Sequence, residues 1–200
     1  MFYIALTGGF GSGKTTVLRL FKRLGAFTVD IDNIVHDVLK RRDVIKDVIA
    51  LLGGDVIRRS SKGVSVNRRK IAERIFDDIE KRRGIEGIIH PLVLEEIINI
   101  KSRFRHREGL LVFEIPLLYE ARFDIYFDKT IVVYCDRRTA MKRLIKKGFK
   151  ESEAMKRIKA QLPIEKKVML ADFIIDNSNG IKKTEDQIRR IFKKVTSSSH

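Results

Sequence analysis

The sequence predicts an α/β fold: a mostly parallel, five-stranded sheet with helices on both faces, on three observations. Short apolar runs alternate with longer amphipathic stretches, which is the pattern of strands separated by helices. Five of those runs have strand length, and each leads into polar or turn residues. A glycine-rich turn joins the first run to the first amphipathic stretch, between a strand and a helix.

Residues 2–6 read as a first buried strand, 14–24 as a helix and 26–30 as a second strand, with Gly25 stopping the helix between them. Residues 110–114, 130–135 and 173–176 supply the remaining strands. Between the second and third lies a long segment, about 36–106, whose apolar spacing is mainly helical, as in Val44, Ile45, Val48, Ile49 and Leu52. It reads as a helical insertion. Within it Gly53-Gly54 ends one helix, Asn67 caps the next, and Pro91 is expected as the first residue of a helix carrying Leu92, Leu94, Ile97 and Ile98. A very basic helical region, 137–163, follows the fourth strand, and the serine-rich tail 197–200 reads as disordered. The chain is expected to be one domain, 1–200, whose core comprises 1–35 and 107–200.

Composition sets the outer limits. With 200 residues, 44% hydrophobic and 34% charged, the chain can bury a core without disulfides or structural metals. No apolar run approaches the ~20 residues that span a bilayer, and Met1 runs into Phe2, Tyr3 and Ile4 without a basic leader, so a cytoplasmic protein with no membrane partner is expected. Cys135 is the only cysteine and reads as a small buried hydrophobe at a strand end. His36, His90, His106 and His200 lack the spacing and the cysteine partners of a zinc site. The net charge of +16 favours polyanions, among them nucleic acids, anionic lipid and phosphorylated metabolites, without choosing between them.

The chemistry starts at Gly8-Gly9-Phe10-Gly11-Ser12-Gly13-Lys14-Thr15, which has the phosphate-loop spacing of Gly, four residues, Gly, Lys, Ser or Thr. Glycines let the backbone turn successive N–H groups inward, and the helix that follows adds its positive amino end, so the segment forms an anion cradle. Lys14 is expected to reach the β- and γ-phosphates of a nucleotide, and the Thr15 hydroxyl to ligate Mg²⁺. The motif alone does not separate a kinase from a GTPase or a motor. Asp30-Ile31-Asp32 ends the second strand, where open α/β sheets put ligand groups. If the segment stays extended, both carboxylates face one side and one of them receives a hydroxyl proton; alternatively an Asp caps the helix starting near Asn33.

Further segments, taken with these, carry a family resemblance. Residues 5–16, then Val29-Asp30-Ile31-Asp32 with His36, Arg74-Ile75-Phe76, His90-Pro91, Ile115-Pro116-Leu117-Leu118-Tyr119-Glu120 and Ala171-Asp172-Phe173-Ile174-Ile175-Asp176-Asn177 together resemble the dephospho-CoA kinases, in order and over almost the whole chain. The resemblance implies a three-layer P-loop kinase fold with a helical substrate-binding insertion and a lid, about 137–163. It also implies Mg-ATP as phosphoryl donor and dephospho-CoA as acceptor. Gly8, Gly9, Gly11, Ser12, Gly13, Lys14, Thr15, Thr16 and Asn177 would then bind nucleotide, and Asp32 would activate the ribose 3′-hydroxyl. Arg143 would steady the transferring phosphoryl group, with Arg157 and Gln161 also at lid positions.

Arg74 would contact substrate. His36 and His90 would either touch it or orient and pack, and Pro116 and Leu117 would either line the acceptor pocket or belong to the core. Four departures stand out. Glu114 replaces the Asp usual two residues before the proline, and would hold Mg²⁺ through water with Thr15. Asp136-Arg137-Arg138 replaces a common Ser-Pro-Glu. Ala140 and Lys147 stand where Gln and Arg are frequent, and a lysine point charge cannot replace a planar guanidinium fork. Another small P-loop kinase of nucleosides or nucleotides, a nucleic-acid-binding NTPase and a non-catalytic nucleotide module are the competing readings. No recognisable nucleic-acid motif supports the second, and Asp32 argues against the third.

Overall fold

The structure is a computed structural model that describes residues 1–60 and 63–197. Its contacts divide the chain into two units, one formed by Met1–Asp30 with Phe104–His200 and the other by Ile31–Arg103.

The first unit is built on five parallel strands in the order β2-β5-β1-β6-β7: β1 Phe2–Gly8, β2 Phe27–Asp30, β5 Leu110–Glu114, β6 Lys129–Tyr134 and β7 Phe173–Asp176. The expected strands are all present, with ends differing by one or two residues. Alternation along them decides the packing. Ile4 and Leu6, Leu110 and Val112, Ile131 and Val133, and Ile175 turn to one face, where they bury against Val17, Leu18 and Phe21 of α1 (Lys14–Arg23) and Ile188, Ile191 and Val195 of α9 (Ile181–Ser197). Phe21 is fully buried, so its truncation to alanine would cost about 3–5 kcal/mol. On other strand positions Phe113 packs edge-on to Phe127, with centroids 5.2 Å apart. The basic region contains α6 (Arg137–Lys146) and α7 (Glu151–Lys159), followed by α8 (Ile164–Leu170). Asp136 caps α6 by accepting from the Thr139 N–H at 2.8 Å.

The second unit runs through α2 (Ile31–Val38), α3 (Arg42–Leu52), a 3-10 turn at Gly54–Val56, strands β3 (Ile57–Ser60) and β4 (Gly63–Val66), then α4 (Arg68–Ile75) and most of α5 (Ile79–Phe104). Gly53, at φ 91°, follows α3, and the Asn67 side chain accepts from Lys70 N at the start of α4; both are as expected. The structure adds to or departs from the sequence reading at three points here. The segment is not wholly helical, because β3 and β4 pair antiparallel with Ile57 opposite Val66; strands of four residues are too short to display a period of two. Pro91 does not begin a helix but lies inside the 26-residue α5. The missing N–H falls on the exposed side of that helix, where water can serve the Gly87 carbonyl, while buried Ile85, Val93 and Ile97 hold both halves along one stripe. Asp30-Ile31-Asp32 is not extended either: Asp30 ends β2 and Ile31 already opens α2, so strand alternation does not apply to Asp32.

Ser197 is the last residue of α9, and the rest of the tail read as disordered lies outside the described residues. Among the described residues no helix is long and apolar enough to cross a membrane.

A candidate phosphate-binding site after β1

β1 is the central strand of the sheet, and its carboxyl end delivers the chain directly into Gly8–Thr15. Two glycines there are required by their surroundings. A Cβ on Gly8 would run into the Val133 carbonyl of the neighbouring strand, and one on Gly13, at φ 92°, into the Asn177 amide. The loop closes through Ser12 N to Gly9 O at 3.2 Å, and α1 begins at Lys14 with Thr16 N and Val17 N both donating to Gly13 O. Gly13 provides no side-chain cap, and the first turn of α1 contains no acidic residue. A helix amino end in that state carries its partial positive charge into the loop, which suits phosphate oxygens.

Lys14 bends back over the loop, its Nζ donating to the carbonyls of Gly8 and Gly9 at 3.1 Å each. Thr15 donates its hydroxyl to Glu114 Oε1 at 3.2 Å. Glu114 ends β5, is 6% exposed, and stands opposite both Leu6 of β1 and Asp30 of β2 in the sheet register. A hydroxyl and a carboxylate at this spacing are the hard oxygen donors that Mg²⁺ takes when phosphates and waters complete its shell. The residues therefore fit that ion, although among the described residues no cluster of three or more His, Cys, Asp or Glu forms a complete metal site.

The loop is held from behind by a network the motif does not announce. Asn177, 4% exposed, donates from Nδ2 to Ser12 O at 2.7 Å, and its Oδ1 accepts from the Thr184 hydroxyl at 3.0 Å. Arg143 donates from Nη1 to the same Ser12 carbonyl at 3.1 Å and from Nη2 to Asn177 O at 2.7 Å. Asn177, expected to bind nucleotide, is thus placed as a brace whose amide is engaged with the loop. Arg143 is beside the loop but committed to two backbone carbonyls. Ser12 Oγ is buried with no hydrogen-bond partner among the described residues. The Cys135 thiol lies 3.9 Å from the Gly11 carbonyl, and burial pushes its pKa up against the pull of Arg143, so it stays protonated.

The other expected residues are arranged as follows. Arg157 stacks over Phe149 (4.9 Å) and over Phe10 of the loop (5.6 Å) and pairs with Glu153, while Gln161 Oε1 is buried without a partner among the described residues. Lys147 is exposed at the end of α6. The Pro116 carbonyl accepts from the Thr7 hydroxyl at 3.2 Å, and Leu117 is 41% exposed whereas Leu118 is fully buried. In the second unit, Asp32 is the second residue of α2 and exposed, and His36 is exposed one turn further on. Arg74 is ion-paired with Asp55 at 2.8 Å, and half-buried His90 has its pKa lowered by burial. Sequence reading missed Thr7, Thr184 and Lys167, whose roles depend on contacts remote along the chain.

A family model described as dephospho-CoA kinase matches residues 2–183. The chain is 34% identical over 194 residues to the dephospho-CoA kinase of Aquifex aeolicus, covering 96% of this chain and 97% of that protein. It is 38% identical over 194 residues to the dephospho-CoA kinase of Carboxydothermus hydrogenoformans, covering 96% and 93%. A solved dephospho-CoA kinase from Campylobacter jejuni superposes with a TM-score of 0.73 at 22% identity, covering 99% of this chain and 98% of that one, which establishes the shared fold.

Proposed function

The chain belongs to the dephospho-CoA kinase family, an ATP-dependent kinase and so a transferase, and we propose that its phosphate loop carries transfer of the ATP γ-phosphoryl group to the ribose 3′-hydroxyl of dephospho-CoA. The observation that carries this reading is the junction of Gly8–Thr15, the uncapped α1 and the Thr15–Glu114 pair at the end of the central strands.

The backbone of Gly8, Gly9, Gly11, Ser12, Gly13, Lys14, Thr15 and Thr16 wraps the phosphates. Lys14 exchanges its two loop carbonyls for the β- and γ-phosphate oxygens. Thr15 and Glu114 would hold Mg²⁺, Glu114 through water, and the ion would supply charge neutralisation to the phosphates. Arg143, braced on Ser12 and Asn177, adds fixed positive charge beside the same loop, where a preorganised donor acts without reorganisation. Residues 137–163 act as a lid, with Arg157 and Gln161 turning toward the nucleotide on closure and excluding water. Asp32 takes the proton of the acceptor hydroxyl as its oxygen bonds to the γ-phosphorus and the bond from that phosphorus to ADP breaks. Pro116 and Leu117 offer an apolar wall to the acceptor, and His36, Arg74 and His90 of the insertion, about 36–106, contact or orient it. We infer a cytoplasmic enzyme working on small molecules, and the +16 charge suits an ATP and coenzyme carrying several phosphates.

The test is direct: purified protein with Mg-ATP and dephospho-CoA is sampled for CoA and ADP by chromatography, with nucleosides and nucleotides offered in parallel. Stoichiometric CoA and ADP are expected. Phosphorylation of a nucleoside without CoA formation would refute the acceptor assignment and leave another small P-loop kinase as the reading.

A further inference from the structure

The turn that follows β5 is fastened by a buried cation that the phosphoryl transfer described above does not use. Lys167 of α8 is 0% exposed. Its Nζ donates to the Pro116 carbonyl at 3.0 Å and meets Glu120 Oε1 at 2.9 Å. The same carboxylate oxygen accepts from the Leu162 N–H at 2.9 Å, in the link between α7 and α8. The Pro116 carbonyl also receives the hydroxyl of Thr7, the residue immediately before Gly8. Ile164, the first residue of α8, provides the atom nearest to where a Cβ on Gly9 would stand, at 3.8 Å. One ammonium group thus joins the residue before the phosphate loop, the turn after the Glu114 strand and the exit of the helical region 137–163.

Stability alone does not account for a charge here. Desolvation of both partners opposes their attraction, and well-packed apolar side chains of similar volume serve such positions equally well or better. What an ion pair with a hydrogen-bonded carbonyl adds is direction, because it fixes where two particular backbone groups lie. The groups fixed are the Pro116 carbonyl, next to outward-facing Leu117, and the Leu162 amide, at a junction where a moving α6–α7 segment would hinge.

We propose that Lys167 and Glu120 are positioning residues for the reaction. They hold the Pro116–Leu117 turn and the Leu162 hinge in one register with the phosphate loop, so that closing over ATP and presenting the acceptor occur together. This rests on the assignment of Pro116 and Leu117 to the acceptor side. Loss of the pair lets the helical region close without a correctly placed hydroxyl, and the phosphoryl group then passes to water as orthophosphate.

The deciding variant is the double substitution Lys167→Met with Glu120→Leu, which removes both charges and leaves no buried ion unpaired. Glu120→Gln, which keeps an oxygen for Leu162 and removes only the charge, is measured beside it. Thermal melting, ATP affinity by a fluorescent analogue, KM for dephospho-CoA and ATP hydrolysis without acceptor are compared with the wild type. The double variant is expected to melt cooperatively and bind ATP within about twofold of wild type, with KM for dephospho-CoA raised about tenfold or more and acceptor-free hydrolysis raised severalfold. Glu120→Gln should move in the same direction by less. Wild-type KM and wild-type hydrolysis in the folded double variant overturn the proposal, as does an unfolded double variant beside a kinetically unaltered Glu120→Gln. A wild-type protein that forms no CoA counts against the acceptor assignment alone, since acceptor-free hydrolysis in variant and wild type still decides the hinge.

Discussion

Replacing Asn177 by leucine separates a brace from a nucleotide ligand, because only the brace predicts lost stability without nucleotide. The side chain is 4% exposed, and leucine nearly conserves its volume, so packing contributes little to the difference. Two hydrogen bonds are lost, Nδ2 to Ser12 O at 2.7 Å and Thr184 Oγ1 to Oδ1 at 3.0 Å. Neither partner is stranded: Ser12 O still accepts from Arg143 at 3.1 Å, and the Thr184 hydroxyl still reaches Gly180 O at 3.1 Å. The penalty for a buried unsatisfied group is therefore avoided, and only the net value of two bonds, about 1 kcal/mol each, is forfeited, or about 2 kcal/mol in total. Urea unfolding of nucleotide-free protein measures this, and titration with ATP measures the accompanying loss of affinity as the Ser12 peptide loosens. Unchanged stability of the nucleotide-free variant together with lost ATP binding would refute the brace and return Asn177 to the nucleotide. A loss above about 4 kcal/mol would show that the secondary partners do not compensate.

Three further outcomes follow from the same geometry. Lys14→Ala should stay folded, since Lys14 donates to carbonyls of the loop and is not part of the buried apolar core, while kcat falls by ~10²–10³-fold or more; near-normal turnover would remove Lys14 from the mechanism. Asp32→Asn keeps the shape but cannot take a proton, so CoA formation should fall ~10²–10⁴-fold with ATP affinity unchanged; a variant that keeps its kcat would remove Asp32 as the base. For His90, burial holds the pKa below its ordinary value against the pull of Glu86, so the unfolded chain takes up the proton first as pH falls. Stability should then drop between about pH 6.5 and the lower folded value, and His90→Asn should flatten that limb in urea unfolding between pH 5 and 7.5; an unchanged slope would exclude the linkage.

The parts of the fold that the sequence made legible are those governed by local rules. The five strands are apolar runs, three of them largely buried, their alternation is visible in Ile4 and Leu6 or Ile131 and Val133, and the phosphate loop is a spacing of glycines with its lysine. Gly53 and Asn67 end and start helices through their own backbone and side-chain chemistry. Errors arose where a local rule met a tertiary one. Pro91 signals a helix start, yet packing at Ile85, Val93 and Ile97 carries α5 through it. The β3–β4 pair was hidden because hydrogen bonds between two short strands leave almost no pattern in either.

The support behind the candidate site was illegible for a different reason, which α8 makes plain. Its sequence, Ile164-Glu165-Lys166-Lys167-Val168-Met169-Leu170, offers two adjacent lysines and three apolar residues at its end. Hydropathy would bury Met169 and Leu170 and expose both lysines. The fold does the reverse for three of the four: Met169 is 84% and Leu170 58% exposed, Lys166 is exposed, and Lys167 is fully buried. Nothing within the helix distinguishes Lys167 from its neighbour. The distinction is made by Pro116 and Glu120, which come from the turn after β5 and supply a carbonyl and a carboxylate at hydrogen-bond distance where water would otherwise be needed. Asn177 repeats the pattern, since an amide after β7 acquires its task only at Ser12, in the loop before α1. Residues that touch a ligand announce themselves through motif spacing, because the ligand's shape dictates that spacing. Residues that hold those residues in place answer only to the fold, and each of them, Thr7, Lys167, Asn177 and Thr184, is identified by a partner that the chain's own order keeps far away or conceals.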